Sequence, residues 1–391
     1  MLNQTKRIVI IGGGPAGYEA ALAGAKYGAE ITIIEDQGMG GNSVILDCVP
    51  SKSFIAGANI KTDLRRAEDM KLNEGIGQAD LSLTALNKRV QDLASKQSSD
   101  IRATVESLGA RVIDGRGYFP EDQEADAFGG HKVTAVFNED GHEETINADL
   151  VLVATGATPR VLPGAQPDGE RILTWQQVYN LTELPEHLIV VGSGVTGAEF
   201  VSAFAELGVK VTMVASRDRI LPHDDADAAD VLETVLSERG VELEKNCRVE
   251  TAKSGHIQVD RVSRTNIAGI YAAGDCSDLF PLASVAAMQG RVAMYHALGE
   301  GVSPLRLKTV ANAVFTRPEI AAVGFTQAEI EAGEVAARTI TMPLNTNPRA
   351  KMRSLQHGFV KLFCRATSGR VIGGVIVAPT ASELILPIAM A

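Results

Sequence analysis

The chain is 391 residues long, 45% hydrophobic and 22% charged, the make-up of an ordinary globular protein of two or three domains. Its formal net charge of -11, from 37 basic and 48 acidic residues, argues against a nucleic-acid partner and against an anionic membrane surface. No apolar run approaches the roughly 20 residues that span a bilayer, and no secretory h-region precedes the first strand, so a cytoplasmic protein without membrane insertion is expected.

The first element is legible at IVIIGGGPAG, residues 8–17. Ile8 to Ile11 form a run of β-branched residues, the pattern of a strand buried on both faces. Gly12, Gly13, Gly14 and Gly17 follow, and an Ala-rich helix is predicted from Tyr18 to Tyr27. Strand, glycine turn and helix N-terminus make a pyrophosphate cradle. Gly12 permits the turn, Gly14 lets backbone N–H groups approach phosphate, and Gly17 lets the helix close on the strand. A second strand, Ala29 to Ile34, ends at Glu35, where a carboxylate can accept from ribose hydroxyls.

The stretch 38–52, GMGGNSVILDCVPSK, holds a turn at Gly40 and Gly41 and a short helical run near Val44. On its own Cys48 reads as a small buried hydrophobe. The four cysteines (Cys48, Cys247, Cys276, Cys364) have no C-x-x-C spacing, so neither a disulfide scaffold nor a metal site is expected. Taken with the cradle before it, however, the stretch resembles the flavoprotein disulfide reductases, whose first FAD segment leads into G-G-x-C-x-x-x-x-C-x-P-x-K. Cys48, Pro50 and Lys52 match that pattern, while Ser43 stands where the first cysteine would be. An oxygen cannot close a disulfide with Cys48, so the dithiol relay is expected to be absent. Cys48 is left as a thiol or thiolate beside a flavin. The resemblance implies FAD contacts at Pro15, Ala16, Gly41, Lys52 and Gly117 as well.

Residues 53–109 read as largely helical. Leu83, Leu86, Val90, Leu93, Ile101, Val105 and Leu108 give a packing stripe, and Gly109 ends it. Antiparallel strands are expected over 111–148, with turns at Asp140-Gly141 and Phe128-Gly129-Gly130. The strand Leu150 to Ala154 runs into Thr155 and Gly156, and the resemblance makes Ala154, Thr155 and Gly156 the crossing out of the FAD domain.

A second cradle follows, with a strand from Leu188 to Val191 and then GSGVTG at 192–197. Two such units in one chain imply one site for FAD and one for a nicotinamide nucleotide, the latter meeting Gly192, Gly194, Val195, Thr196 and Gly197. By the resemblance, Glu199 is the carboxylate that pairs with the flavin-side lysine, Lys52. The next strand, Val209 to Val214, ends at Ala215, Ser216 and Arg217 without an acid. Arg217 and Arg219 suit a 2′-phosphate, so NADPH is slightly favoured over NADH, with Ser216 and Arg217 as contacts.

Val241 to Glu244 reads as a third strand. The chain then reaches GHIQVD roughly 40 residues sooner than a complete nucleotide-binding sheet requires. A half-built sheet with open edges is a liability, so residues are expected to be lacking from this sequence. IYAAGD, residues 270–275, resembles the second FAD segment, placing Gly274 and Asp275 at the ribitol and Leu282, Ala283 and Ser284, at the start of a helix over 282–295, at the flavin. From Thr309, VANAVFTRPEIAAVGFT and later strands over 360–364 and 371–377 resemble the interface domain of a homodimer. No histidine matches the family's catalytic base.

The expected fold is α/β, with two Rossmann-like dinucleotide-binding domains and an α+β C-terminal dimerisation domain. Its segments are 1–155 and 257–307 for FAD, 156–256 for NAD(P)H and 308–391 for the interface. The implied activity is hydride transfer from NAD(P)H through FAD to a quinone, with Lys52, Glu199 and Cys48 as catalytic residues. A nucleotide transhydrogenase, a lipoamide dehydrogenase-like protein without disulfide activity and a non-catalytic FAD-binding dimer are the alternatives.

Overall fold

The computed structural model describes residues 5–69, 71, 81–121, 130–159, 161, 166–246, 256–277 and 279–391. Contacts divide the chain into two units. The first comprises residues 1–50, 88–161 and 252–305, and the second residues 51–87, 162–251 and 306–391.

The first unit is built on β1 (Arg7–Ile11). Its neighbours in sequence are helix α1 (Pro15–Ala25) and β2 (Glu30–Glu35), followed by α2 (Gly41–Ile45) and the start of α3 (Cys48–Asp69). The helix starts earlier than its Ala-rich composition alone indicates, because Gly14 is extended at the N-cap and Pro15 is pre-set for the first turn. Helix α4 (Leu83–Ser107) precedes β3 (Arg111–Tyr118), β4 (His131–Phe137), β5 (Glu143–Ala148) and β6 (Leu150–Val153). The expected turn at Phe128 lies outside the described residues, whereas the Asp140-Gly141 turn is closed by Gly141 N–H on the Phe137 carbonyl at 2.9 Å.

One seven-stranded sheet results, in the order β10-β6-β1-β2-β3-β4-β5, where β10 (Ile270–Ala272) comes from far along the chain. The pairings from β10 to β3 are parallel, and β4 and β5 extend the sheet antiparallel. Alternation along β1 explains why the sequence shows an unbroken apolar run. Ile8 and Ile10 face one core with the alanines of α1, while Val9 and Ile11 face another with Ile34, Ile113 and Val133. Burying each such side chain contributes about 1.5–3 kcal/mol. Helix α7 (Ala283–Ala297) lies against α1 at close range, since a Cβ at Gly290 would sit 2.0 Å from the Ala16 carbonyl. Along α4 the predicted stripe holds at Leu83, Val90, Ile101 and Val105, but Leu93 and Leu108 are exposed.

The second unit contains the larger part of α3, β7 (His187–Val191), α5 (Val195–Leu207), β8 (Lys210–Val214), α6 (Ala226–Glu238) and β9 (Glu242–Glu244). Among the described residues its α/β sheet has three parallel strands, β7-β8-β9, with β7 at an edge. Ile189 and Val191 share one face of β7 and are 59% and 52% exposed, so among the described residues little covers that face. Phe54 of α3 stacks on Phe204 of α5 at 5.2 Å and on Tyr179 at 6.3 Å, and Phe200 joins the same cluster.

The C-terminal part forms an antiparallel sheet from β11 (Asn312–Val314), β12 (Glu319–Gly324), β13 (Ala337–Pro343), β14 (Phe359–Arg365) and β15 (Val371–Ala378). Its strand order is β11-β12-β15-β14-β13. Lys361 of β14, only 1% exposed, reaches both carboxylate oxygens of Asp225 at 2.8 and 2.9 Å and Asp227 Oδ2 at 2.6 Å. Asp225 is the N-cap of α6, so this buried cation pins the helix start to the sheet.

Candidate active site

In the first unit the predicted residues converge at the carboxyl ends of β1, β6 and β10. Gly12 has φ +105, and a Cβ there would meet the Ala154 carbonyl at 2.2 Å, so the turn passes directly over the end of β6. A Cβ at Gly17 would lie 1.9 Å from the Gly12 carbonyl, which is the close helix–strand approach expected. Gly14, by contrast, has open space where its Cβ would point, at the N-terminus of α1. Gly41, with φ +53, comes so near Gly14 that a Cβ would touch the Gly14 backbone at 2.9 Å. Gly12 N–H donates to the Ile34 carbonyl at 2.8 Å, so the turn is held from behind, and the N-terminal turn of α1 at Gly14 is the part of the cradle that a phosphate can approach.

Glu35 ends β2 as predicted and is buried. Its Oε2 accepts from Gly13 N–H at 2.6 Å, and Oε1 accepts from Gln37 and Gly38 N–H at 2.8 and 3.2 Å. A carboxylate has about four acceptor sites, so one remains for a hydroxyl. Gly117 lies over Ile11 and Ile34 on β3, where a Cβ would be 3.0–3.2 Å from their side chains. Gly274, at φ +84, brings the end of β10 beside Ala16 and Ala286, and its N–H is taken by buried Gln289 Oε1 at 3.1 Å. Asp275 beyond it is exposed, yet the surrounding walls desolvate its carboxyl and push its pKa up, with His256 pulling the other way. Leu282 caps α7, and Ala283 and Ser284 form its first turn. Thr155 and Gly156 follow β6, with Gly156 at φ +67. The donor set and the vacant cradle fit a dinucleotide such as FAD.

The second unit repeats the motif. Gly192 has φ +116, a Cβ at Gly197 would lie 2.0 Å from the Gly192 carbonyl, and Gly194 is an extended N-cap facing open space. Val195, Thr196 and Gly197 form the first turn of α5. Beyond β8, Ser216 and Arg217 are exposed, and Arg219 Nε is buried without a hydrogen-bond partner among the described residues. These residues fit a second, anionic dinucleotide.

Helix α5 also carries a buried polar face. Glu199 Oε2 pairs with Lys52 Nζ at 2.9 Å, although the two residues are 147 positions apart. Its Oε1 accepts from Phe315 N–H at 3.1 Å. Glu206, two turns on, binds Arg239 at 3.1 Å and Thr62 at 3.0 Å. Burial pushes the Glu206 carboxyl up, and Arg239, Arg317, Thr62 and Ser202 only partly offset it; burial likewise pulls the Arg239 pKa down. Both shifts say that desolvation outweighs pairing at this site. Cys48 is half-buried at the first residue of α3, and Ser43 donates its hydroxyl to the Gly40 carbonyl at 2.9 Å. Reading the sequence missed Gln289, Phe315 and Ser51, whose buried hydroxyl has no partner among the described residues. Only the polarity of Gln289 inside an apolar helix face offered a signal.

Two glycine cradles, a Lys–Glu pair and a C-terminal antiparallel sheet define the class. The chain belongs to the pyridine nucleotide-disulphide oxidoreductase family, which it matches over residues 6–254 and 244–290, with the family's dimerisation domain at 310–391. The two matched segments overlap at residues 244–254, from the end of β9 onward. Among its relatives is the NAD(P)H dehydrogenase (quinone) of Mycobacterium tuberculosis, 54% identical over 98% of this chain and 87% of that protein. The dihydrolipoyl dehydrogenase of Chlorobaculum tepidum is 30% identical over 97% of this chain and 88% of its own length. The crystal structure of LpdA from Mycobacterium tuberculosis superposes with a TM-score of 0.91 at 53% identity, covering 99% of this chain and 93% of that one. Among the described residues no helix is long and apolar enough to cross a membrane, and no cluster of metal-ligating side chains occurs.

Proposed function

We propose that the protein is an FAD-dependent NAD(P)H dehydrogenase that delivers electrons to a quinone. The observation that carries this reading is the 54% identity, over nearly the whole chain, to a protein named for that reaction. Bound FAD supplies a two-electron relay between the nicotinamide and the acceptor. The turn shaped by Gly12 and Gly17 would present the α1 N-terminus at Gly14 to its pyrophosphate, Glu35 would accept from its ribose, and Asp275 from its ribitol. Lys52, oriented by Glu199, presents a fixed cation to the flavin, and a fixed cation stabilises charge without reorganisation. Ser43 supports a route without a dithiol relay, because its oxygen cannot pair with Cys48 in a disulfide; Cys48 then tunes the flavin as a neighbouring sulfur.

The second cradle takes the nicotinamide nucleotide. NADPH is preferred, in keeping with the missing acid after β8, the exposed Arg217 and the Arg219 Nε that has no partner among the described residues. The protein works in the cytoplasm as a homodimer joined through 310–391, where Ile340 and Met342 of the outer strand β13 are exposed. The test is anaerobic: flavin bleached by NADPH is mixed in turn with a soluble quinone, thio-NAD, lipoamide and glutathione disulfide. Rapid reoxidation by quinone is expected, equally so in Cys48→Ser. Reoxidation by a disulfide alone, lost in Cys48→Ser, overturns the reading.

A further inference from the structure

The geometry points to Phe315 as a positioning residue for Lys52, an inference that rests on reading Lys52 as the flavin-side lysine. Phe315 touches both members of the Lys52–Glu199 pair. Its backbone N–H donates to Glu199 Oε1 at 3.1 Å, while the other carboxylate oxygen holds Lys52 Nζ at 2.9 Å. Its ring lies under the same ammonium, 5.3 Å from Nζ to the centroid. The Glu199 side chain is 3% exposed, so its two oxygens have fixed rather than solvent-averaged partners.

A lysine side chain has four rotatable bonds, and a single carboxylate restrains only its distance. The N–H fixes the rotation of the carboxylate, and the ring face fixes the side from which the ammonium approaches it. The segment is itself held. Arg317 N–H donates to Ser202 Oγ at 3.2 Å, one turn along α5. The Arg317 guanidinium donates to the Asn59 carbonyl at 3.3 Å and pairs with Asp63, both on α3, the helix that bears Lys52. Residues 315–317 therefore staple α3 to α5, gripping α3 about two and three turns beyond Lys52. They lie in the segment matched by the dimerisation domain, which gives that segment a role in placing a redox-site cation within its own chain.

The test compares Phe315→Leu, which keeps the N–H and apolar bulk but loses the ring, with Phe315→Tyr, which keeps the ring, and with Lys52→Met. Phe315→Met replaces Phe315→Leu if the latter loads FAD poorly. Two readouts are used: the visible absorption bands of bound FAD, and anaerobic single-turnover bleaching by NADPH, whose concentration dependence gives Kd separately. Phe315→Leu should shift the flavin bands in the direction of Lys52→Met, by less, and slow bleaching about two- to tenfold at unchanged Kd. Phe315→Tyr should restore both. Wild-type bands and rate in Phe315→Leu, with both altered in Lys52→Met, overturn the role of Phe315 alone. Wild-type behaviour in Lys52→Met overturns the reading of Lys52 itself.

Discussion

The two cradles share their local geometry and differ in what surrounds them. Gly14 and Gly194 cap their helices at φ -64, ψ -175 and φ -76, ψ -174. Yet a Cβ on Gly12 would strike the Ala154 carbonyl at 2.2 Å, while a Cβ on Gly192 would meet nothing within 4 Å among the described residues. The cause is sheet position. β1 is paired on both sides, by β6 and β2, whereas β7 is an edge strand among the described residues. A glycine turn is encoded by a handful of neighbouring residues, but its steric tolerance is set by strands distant in sequence. The second unit holds its helices with polar staples, namely Lys361 on the start of α6, Arg317 between α3 and α5, and Glu206 on Arg239.

That contrast can be broken by paired substitutions. Gly12→Ala should cost roughly 4–5 kcal/mol and abolish FAD retention, because positive φ and a backbone clash combine. Gly192→Ala, which faces only the positive-φ strain, should cost about 1–2 kcal/mol. Denaturant unfolding of both variants checks the ranking, and equal costs would remove the distinction. Lys361→Met should cost about 3–4 kcal/mol, since it leaves the buried Asp225 carboxylate without its cation. An unfolding midpoint like that of the native protein would show that α6 is held by other contacts. The smallest effect is expected at the ribose end. Replacing Arg217 and Arg219 by Ala should weaken NADPH by about tenfold and NADH by much less, through loss of charge-assisted contacts. Titration with each nucleotide decides it, and equal losses would make these arginines ordinary surface charge.

The legible parts of this molecule were the local ones. Both glycine turns and their strands are short-range patterns, and β-branched runs with closely spaced glycines have few other solutions. The Lys52–Glu199 pair came only from family resemblance, because nothing in either stretch indicates a partner 147 residues away. Phe315 was illegible for a different reason: its contribution to Glu199 is a backbone N–H, which every residue but proline carries. Periodicity also overreached. Leu93 within α4 and Leu108 just past its end continue the predicted stripe yet are exposed.

The central claim assigns flavin to the first cradle and the nicotinamide nucleotide to the second. Gly194→Val tests it most directly, since the extended backbone there accepts a side chain without strain and the added atoms enter the space left open for phosphate. The variant should keep its full complement of FAD, unfold like the native protein, and fail to have that flavin bleached by NADPH under anaerobic conditions. Loss of FAD from this variant, or bleaching at the native rate, would contradict the assignment.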